Sequence, residues 1–394
     1  MKIGVVVGIR YCKVGDEYYT TTSYRADMWL ELLDIFDEVV LFDRVVEDFF
    51  VRKGYARVLS KRVSLVELPN YAGLAGMIRS FPKMCILAWK KAGQADVWLL
   101  HAPSLESLAM WICLFVFRIP YAIELRGEQA LRKVYLQKRG VRFARPITFF
   151  FRAMLWLQRS RALGCCGVAR FLVERYGPLD KIRRVFVVSD SRIPAEYYRL
   201  PREWSSKTQL RTIISVGRVE SGKDPLGTIR ALANLDKLGY RNWRFLWLGD
   251  GPLKNSAVRL VEKLGLQSRV EFKGYVPWEK VFEAFEMADL YVLNTVAEGM
   301  PRALLEAMAS ALPAIAPSIC GIPELLQPED TFPMLDNNAL AGKMHEVLID
   351  PRRLTEMSHR NVETARDYAA DVLRQRKKVF YEYMKNAAMT GCRY

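Results

Sequence analysis

The sequence predicts an α/β protein built from two domains, each with a parallel sheet. Short apolar segments alternate with helical stretches along the chain, which is typical of strands joined by crossover helices. Several of these apolar segments run directly into a glycine turn, as strands do where a ligand approaches their carboxyl ends. The alternation stops at a polar, proline-containing passage and then restarts. With 394 residues, the chain is long enough for two separate cores.

The N-terminal half contains seven candidate strands. They are Ile3–Val7, Glu38–Phe42, Val63–Leu68, Val97–Leu100, Tyr121–Glu124, Leu163–Val168 and Arg184–Val188. The helices expected between them include Ser23–Phe36 and Ser104–Phe117. Continuous apolar strands indicate a parallel sheet that is covered on both faces.

The C-terminal half repeats this pattern. Its candidate strands are Thr212–Val216, Arg244–Leu248, Val270–Phe272, Leu290–Leu293 and Ala314–Ala316, and its candidate helices are Asp224–Leu238, Leu253–Leu264, Trp278–Met287, Arg302–Ser310 and a long final helix broken near 367–370. We therefore expect a domain at 1–190, a linker at 191–209 and a second domain at 210–370. The helix at 371–394 is expected to pack back on the first domain.

Composition and charge restrict the class of protein. Half of the residues are apolar (51%) and the mean hydropathy is −0.02, which indicates a globular protein. Seven cysteines without a C-x-x-C pair favour reduced thiols, and no secretory signal is recognised, so we expect a cytoplasmic location. The apolar run Leu108–Phe117 is too short to span a bilayer and is predicted to be a buried helix.

The net charge of +16 predicts an anionic partner: nucleic acid, a membrane surface or a phosphorylated substrate. Ten Lys or Arg residues, one acid and several aromatic residues lie between Arg126 and Arg161. This composition is typical of a segment that binds an anionic membrane surface, but an ordinary solvated basic face explains it as well. No nucleic-acid-binding motif is recognised, so we expect no nucleic-acid partner.

The stretch Glu298-Gly-Met-Pro-Arg-Ala-Leu-Leu-Glu-Ala-Met-Ala309 carries the strongest functional signal. Pro301 fits the first position of a helix, whose free N–H groups and dipole favour a phosphate. Glu298 and Glu306 flank this start, and carboxylates bind sugar hydroxyls well. The pattern therefore suggests a sugar nucleotide, although an amphipathic helix with an acidic first turn would look similar.

This stretch resembles the E-G-x-[GP]-x4-E-A-M-A signature of retaining glycosyltransferase family 4, the glycosyl transferases group 1. The resemblance implies an α/β fold of the GT-B type, with two Rossmann-like domains facing across a cleft. It assigns Glu298 to the donor sugar and Glu306 to the ribose. It assigns the backbone of Gly299, Met300, Pro301, Arg302, Ala303 and Leu304 to the diphosphate, with Met300, Arg302 and Ala303 as the better N–H donors.

Three further C-terminal elements resemble the same family. Gly217-Arg218-Val-Glu-Ser-Gly222-Lys223 matches G-R-x4-K, whose Arg and Lys neutralise the leaving nucleoside diphosphate. Asp224 stands where glycine is usual. The turns at Gly249 and at Gly274-Tyr275 match elements that line the nucleotide side of the site.

The resemblance is weaker in the N-terminal half. Gly8 follows the first strand, where the family places backbone against the donor phosphates, but a longer loop at Ile9–Thr22 replaces the usual glycine pair. His101 matches the histidine that reaches the reacting sugar. Arg126 stands on the acceptor side, where a histidine is common, and suggests a more anionic acceptor.

The expected reaction is the transfer of a sugar from a nucleoside-diphosphate sugar to a glycan or lipid-linked acceptor, with retention of anomeric configuration. The expected role is a hexosyltransferase of bacterial-type polysaccharide or glycolipid synthesis, peripheral at the inner membrane face. No D-x-D motif and no cluster of metal ligands is recognised, so we expect no metal and no cofactor.

Two other interpretations stay open at this stage. One is an enzyme of the same fold with another reaction, such as a sugar-nucleotide epimerase or a phosphorylase. The other is a non-catalytic binder that attaches to a membrane or to nucleic acid through the basic segment.

Overall fold

The computed structural model describes residues 1–22, 24–51, 54–126, 144–176, 184–205 and 210–390. The chain forms two compact units. The first contains Met1–Arg126, Phe149–Val188 and the last helix from Arg374 onward. The main part of the second is Ser189–Leu373. Residues 127–143, within the predicted basic segment, and residues 206–209, at the end of the predicted linker, lie outside the described residues.

The first unit contains a ten-stranded sheet. Its strands are β1 (Lys2–Val6), β2 (Arg10–Val14), β3 (Glu17–Thr20), β4 (Glu38–Glu47), β5 (Ala56–Arg57), β6 (Val63–Leu68), β7 (Val97–Ala102), β8 (Tyr121–Leu125), β9 (Gly164–Gly167) and β10 (Arg184–Val187). Its α-helices are α1 (Leu30–Leu33), α2 (Gly73–Lys91), α3 (Leu105–Phe117), α4 (Ala144–Gln158) and α5 (Arg170–Tyr176).

The strand order of this sheet is β10-β9-β8-β7-β1-β4-β2-β3-β5, with β6 also paired to β4. The pairs between β10 and β4 are parallel, whereas β3 is antiparallel to both of its neighbours. The connections through α2, α3 and α4 all move in one direction across the sheet. Because such crossovers are right-handed, these three helices cover the same face of the sheet.

The second unit contains a six-stranded, all-parallel sheet of order β13-β12-β11-β14-β15-β16. Its strands are β11 (Arg211–Val216), β12 (Trp243–Leu248), β13 (Val270–Gly274), β14 (Leu290–Val292), β15 (Ala314–Pro317) and β16 (Thr331–Phe332). Its helices are α6 (Pro225–Lys237), α7 (Lys254–Lys263), α8 (Trp278–Glu286), α9 (Arg302–Ala309), α10 (Asn337–Leu348) and α11 (Pro351–Arg366), and α12 (Ala370–Met389) continues into the first unit.

The α/β fold class with two Rossmann-like sheets is therefore confirmed. Each predicted strand and each of the other predicted helices is present within one to five residues of its expected ends, and the break in the final helix falls between α11 and α12. The helix predicted at Ser23–Phe36 is shorter and less regular than expected: a 3₁₀ turn at Ala26–Trp29 leads directly into the short α1 at Leu30–Leu33. The loop expected at 9–22 is an antiparallel hairpin of β2 and β3.

The helix α3 is buried only in part, so its prediction as a buried helix is wrong at one end. Met110, Cys113 and Leu114 lie in the core, but Ile112, Phe115, Val116 and Phe117 are exposed. No helix in the described ranges is both long enough and apolar enough to cross a bilayer.

The first strand packs tightly against a buried tryptophan. Trp98 on β7 is fully buried, and its indole N–H donates to the Ala92 carbonyl at 2.9 Å. A Cβ atom at Gly4 on β1 would lie 2.2 Å from the Trp98 ring. Glycine at this position therefore lets β1 reach its place beside β7 and carry the chain to Gly8.

We expect Gly4→Ala to destabilise the protein by about 1–3 kcal/mol, because the added methyl group overpacks a core that cannot move aside. Urea unfolding measures the change. Gly342→Ala is the control: this helical glycine has open space at its Cβ position, so alanine there is expected to be neutral or stabilising. Equal effects of the two substitutions would contradict the packing argument.

Candidate functional site

An ion pair joins the loop after β11 to the loop before α9. Lys223 Nζ contacts the Glu298 carboxylate. The Thr295 hydroxyl lies 3.0 Å from both Glu298 Oε1 and the Gly222 carbonyl oxygen. The Val296 N–H donates to the same carbonyl at 3.0 Å. The Lys223 and Glu298 side chains are 24% and 15% exposed, so water screens the pair only in part and the pair fixes the two loops together.

The segment between Glu298 and the start of α9 is also held by its own backbone. The Glu298 N–H donates to Cys320 Sγ at 3.4 Å. The Gly321 N–H donates to the Gly299 carbonyl oxygen at 3.1 Å. Two contacts from the loop after β15 therefore define the path of this segment, and neither Cys320 nor Gly321 was identified from the sequence.

The helix α9 begins at Arg302, the first residue of the helix predicted at Arg302–Ser310. Pro301, expected at the first helical position, is the N-cap residue instead. The N–H groups of Arg302, Ala303 and Leu304 have no acceptor inside the helix, because a helix leaves its first donors unpaired. Met300 and Leu304 are buried, so their side chains are not available to a ligand.

The second carboxylate of the signature, Glu306, faces an indole. The Trp278 N–H donates to Glu306 Oε1 at 3.0 Å. Burial raises the pKa of Glu306, although the Trp278 hydrogen bond and the charge of Arg302 oppose the shift. Trp278 was predicted only as the start of a helix, and the structure gives it a direct contact with a predicted ligand-binding residue.

Three strand ends meet around a pocket of ≈ 320 Å³ in the second unit. Its lining includes Arg218, Gly249 and Tyr275, all of which were predicted, together with Asp250. The Gly249 N–H donates to the Gly274 carbonyl at 2.7 Å. A Cβ at Gly249, where φ is +137°, would lie 2.1 Å from the Gly217 carbonyl oxygen, so only glycine allows this approach.

Arg218 is the most exposed of the predicted phosphate ligands. Its side chain is 71% exposed, and its Nε lies 3.5 Å from a Glu220 carboxylate oxygen. The structure thus places Lys223 in a fixed ion pair and Arg218 at the edge of the pocket, so the two cations are not held in the same way.

A buried carboxylate organises the predicted residues of the first unit. Glu124 lies 3.2 Å from His101 Nε2, 2.6 Å from Arg126 Nη2 and 3.9 Å from Lys377 Nζ. Burial alone would raise the pKa of Glu124, but Arg126, Lys377 and His101 together hold it well below its usual range. Glu124 and Lys377 were not among the predicted site residues.

His101 is 6% exposed, and both of its ring nitrogens have neighbours. Nδ1 lies 3.3 Å from the Tyr24 hydroxyl, and Nε2 faces Glu124. Burial lowers the pKa of His101 in spite of the opposing charge of Glu124. A neutral ring with its proton on Nε2 is compatible with both neighbours, because the N–H then faces Glu124 and Nδ1 can accept from Tyr24.

The backbone N–H groups of the glycine turn after β1 bind an aspartate that was not among the predicted site residues. Asp43 is fully buried and accepts hydrogen bonds from the N–H groups of Val7, Gly8 and Ile9 at 3.1, 2.7 and 3.3 Å. Burial raises the pKa of Asp43 well above its usual range, and the charge of Glu106 adds to this. The Gly8 N–H, predicted to face the donor phosphates, therefore already has an acceptor in this structure.

Within the described ranges, no group of three or more His, Cys, Asp or Glu side chains is placed to hold a metal ion. The metal-independence of the predicted reaction stays a prediction.

Residues 199–368 match the family described as glycosyl transferases group 1. The matched segment contains the Lys223–Glu298 pair, the pocket and α9. The segment 199–368 is a group 1 glycosyltransferase domain. This domain occupies somewhat less than half of the chain, and it carries the predicted donor-binding residues apart from Gly8.

Two curated relatives match a comparable part of the chain. A GalNAc-alpha-(1->4)-GalNAc-alpha-(1->3)-diNAcBac-PP-undecaprenol alpha-1,4-N-acetyl-D-galactosaminyltransferase of Campylobacter jejuni is 27% identical over 187 residues, covering 46% of this chain and 51% of that protein. The N-acetyl-alpha-D-glucosaminyl L-malate synthase of Bacillus anthracis is 28% identical, covering 52% and 53%. The chain spans about half the length of the curated relatives it matches.

A solved structure is similar along nearly the whole chain. Anabaena Alr3699/HepE, solved in complex with UDP, aligns with a TM-score of 0.64 at 15% identity and covers 96% of this chain and 99% of its own. At this identity the likeness establishes the fold, which is GT-B.

We expect Glu124→Gln to destabilise the protein by roughly 3 kcal/mol at neutral pH, because Arg126 and Lys377 lose their buried counter-charge. The pKa of Glu124 is lower in the folded than in the unfolded state, where it is about 4.3. Its contribution is therefore complete above about pH 5 and is lost as the pH falls through the folded value. Unfolding curves between pH 7 and pH 3 measure this.

The free energy of unfolding of Glu124→Gln is expected to fall less steeply below pH 5 than that of the wild type. Glu38→Gln is the matched control, since Glu38 pairs with Lys2 at the surface with 48% of its side chain exposed. Parallel pH profiles for the wild type and Glu124→Gln would show that Glu124 does not act in this way.

Proposed function

We propose that this protein is a retaining, metal-independent glycosyltransferase that moves a hexose from a nucleoside-diphosphate sugar to a glycan or lipid-linked acceptor. The observation that carries the proposal is the Lys223–Glu298 ion pair at the entry to α9, inside a group 1 domain. A cation for the diphosphate and a carboxylate for the sugar are in direct contact there. Bacterial-type polysaccharide or glycolipid synthesis is the proposed context.

The diphosphate is proposed to lie between Lys223, Arg218 and the first turn of α9. When the bond from the anomeric carbon to the phosphate oxygen breaks, its electron pair stays with the diphosphate. An ammonium ion carries three N–H donors, so Lys223 can bind a phosphate oxygen while it keeps Glu298. The N–H groups of Arg302 and Ala303 supply further positive potential where the charge develops.

Glu298 is proposed to accept hydrogen bonds from hydroxyls of the donor sugar. Its orientation is supported by the Thr295 hydroxyl at 3.0 Å and by its own backbone contact to Cys320. Glu306 is proposed to bind the ribose diol, with the Trp278 indole holding one carboxylate oxygen and the other left to face the ligand. The base is proposed to occupy the pocket beside Tyr275 and Gly249. UDP bound to Alr3699/HepE supports a uridine nucleotide as the first donor to test.

The acceptor hydroxyl forms the new bond to the anomeric carbon, and its proton passes to the leaving phosphate oxygen. His101 is proposed to steady the sugar, and Arg126 to bind an anionic acceptor such as a lipid-linked diphosphate. The name of the Campylobacter jejuni relative, an N-acetyl-D-galactosaminyltransferase for a PP-undecaprenol-linked glycan, supports this class of acceptor. The protein is proposed to work in the cytoplasm at the inner face of the membrane.

The direct test incubates the purified protein with a panel of sugar nucleotides and lipid-linked acceptors. Nucleotide release is measured with and without EDTA, and the anomeric configuration of the product is determined by NMR. Release from one donor, unaffected by EDTA and giving a retained configuration, is the expected result. Failure to release nucleotide from any donor, or an inverted product, would overturn the proposal.

We expect Lys223→Ala to lower kcat by about 10²–10³-fold, the usual effect of removing one donor to a developing oxyanion. Lys280→Ala is the matched control, since Lys280 is a surface lysine on α8 paired with Glu283. Thermal unfolding of both variants shows whether the fold is kept. A kcat within twofold of the wild type would remove Lys223 from the diphosphate site.

The affinity for the donor is expected to fall as the pH is lowered, and Glu306→Gln should remove this pH dependence. Burial raises the pKa of Glu306, so its carboxylate takes up a proton at a higher pH than an exposed glutamate, and a protonated carboxyl loses acceptor capacity for the diol. The KM for the donor is therefore expected to rise as the pH falls through this raised value, while kcat changes less. A pH-independent wild-type KM would argue against the ribose contact.

A further inference from the structure

The outer surface formed by α2, α3 and the part of α4 from Phe149 onward is apolar where a helix layer normally faces water. On α2, the exposed apolar residues Ile78, Pro82, Ile86 and Trp89 repeat at helical spacing and form one stripe. The last turn of α3 and residues 149, 150, 156 and 157 of α4 add further exposed apolar side chains. Exposed apolar surface of this extent indicates an interaction site.

The three helices form one continuous surface, which we name the basic apolar face. Trp89 of α2 packs on Phe117 of α3 with ring centroids 4.4 Å apart. The Arg161 guanidinium, just after α4, lies 4.1 Å from the Phe115 ring of α3. The right-handed crossovers place all three helices on the same side of the sheet.

The charge of the basic apolar face has one sign. Eight basic residues occur on its three segments, which are α2, α3 with its C-cap residue, and residues 149–161. They are Arg79, Lys83, Lys90, Lys91, Arg118, Arg152, Arg159 and Arg161. One acid occurs in these ranges, Glu106, and it is buried in an ion pair with Arg44 at 2.6 Å. A second copy of the chain would bring like charges together, so self-association is disfavoured.

A pocket of ≈ 330 Å³ opens on this side, between α4 and α5. Phe149 and Trp156 line it together with the arginines Arg152, Arg159 and Arg175. Aromatic rings beside guanidinium groups match a lipid, whose acyl chain is apolar and whose phosphate is anionic.

We propose that the basic apolar face binds the surface of an anionic bilayer, with Trp89, Phe149 and Trp156 inserted at the level of the headgroups. Tryptophan is enriched at this depth because its ring is apolar and its N–H is polar. Lysine and arginine side chains lie along the apolar surface and reach lipid phosphates with their charged ends. The inference rests on the proposed function only in that a lipid-linked acceptor would explain why the protein binds there.

The test measures co-sedimentation of the full-length protein with vesicles of phosphatidylglycerol and phosphatidylcholine, and with phosphatidylcholine alone. Two double variants remove one component each: Trp89→Ser with Trp156→Ser, and Arg152→Glu with Arg161→Glu. Their controls lie outside the face. Phe49→Ser removes an aromatic ring that is 89% exposed, and Arg241→Glu with Lys280→Glu reverses two exposed charges in the second unit.

We expect the wild type to bind the anionic vesicles at least about tenfold more tightly than the neutral ones, and each double variant to lose about tenfold or more. The control variants should stay within about twofold. Unfolding temperatures identify any variant that fails to fold, and single substitutions then replace it.

The proposal is overturned if the wild type does not bind anionic vesicles at low salt, or if the controls lose as much binding as the face variants. It is also overturned if the tryptophan variant binds normally while soluble polyglutamate competes with vesicles, since this would indicate a docking site for an acidic protein. Nucleotide release separates the two proposals. Vesicle binding without donor turnover would support the membrane-binding face and contradict the proposed reaction. Donor turnover without vesicle binding would support the proposed reaction and contradict the membrane-binding face.

Discussion

The contact between Lys223 and Glu298 is the constraint on which the proposed donor site depends. It joins the loop after β11 to the loop before α9, and Thr295 and Gly222 reinforce the connection with hydrogen bonds. A lysine in a partly buried position needs a counter-charge, and the proposed phosphate site needs a cation in place. One ion pair meets both needs. In the proposed reaction, the positive charge would therefore be in position before the donor binds.

The first unit uses the same principle with different groups. Glu124 at the end of β8 contacts His101 of β7, Arg126 directly after β8 and Lys377 of α12. One carboxylate lowers the cost of burying two cations and lies 3.2 Å from the Nε2 atom of His101. Arg126 stands where the family that the sequence resembles commonly has a histidine, and Glu124 is its counter-charge. Arg126 gives this half of the protein a permanent positive charge, which a histidine would carry only at low pH.

Periodicity and glycine positions were enough to predict the strands and most helices, because buried parallel strands are continuous apolar runs that end at a turn. The contacts across the chain could not be predicted in this way. Lys223 and Glu298 are 75 residues apart, and Trp278 and Glu306 are 28 apart. The hairpin β2–β3 was missed because its tyrosines and threonines resemble a loop. The bounds of helix α2 were not predicted, because Pro82 and an apolar outer stripe obscure the usual amphipathic pattern.

The basic apolar face combines two forces that differ in range. Each lysine or arginine near an anionic membrane surface contributes about 1 kcal/mol, but this attraction is screened over a Debye length of about 8 Å at physiological salt. Burial of aromatic and aliphatic side chains is not screened, but it acts only on contact. Basic residues alone would give binding that salt abolishes, and apolar residues alone would favour aggregation in water. Because both types occur on the same three helices, the charges can orient the first unit toward the bilayer, and the aromatic rings can then hold it there.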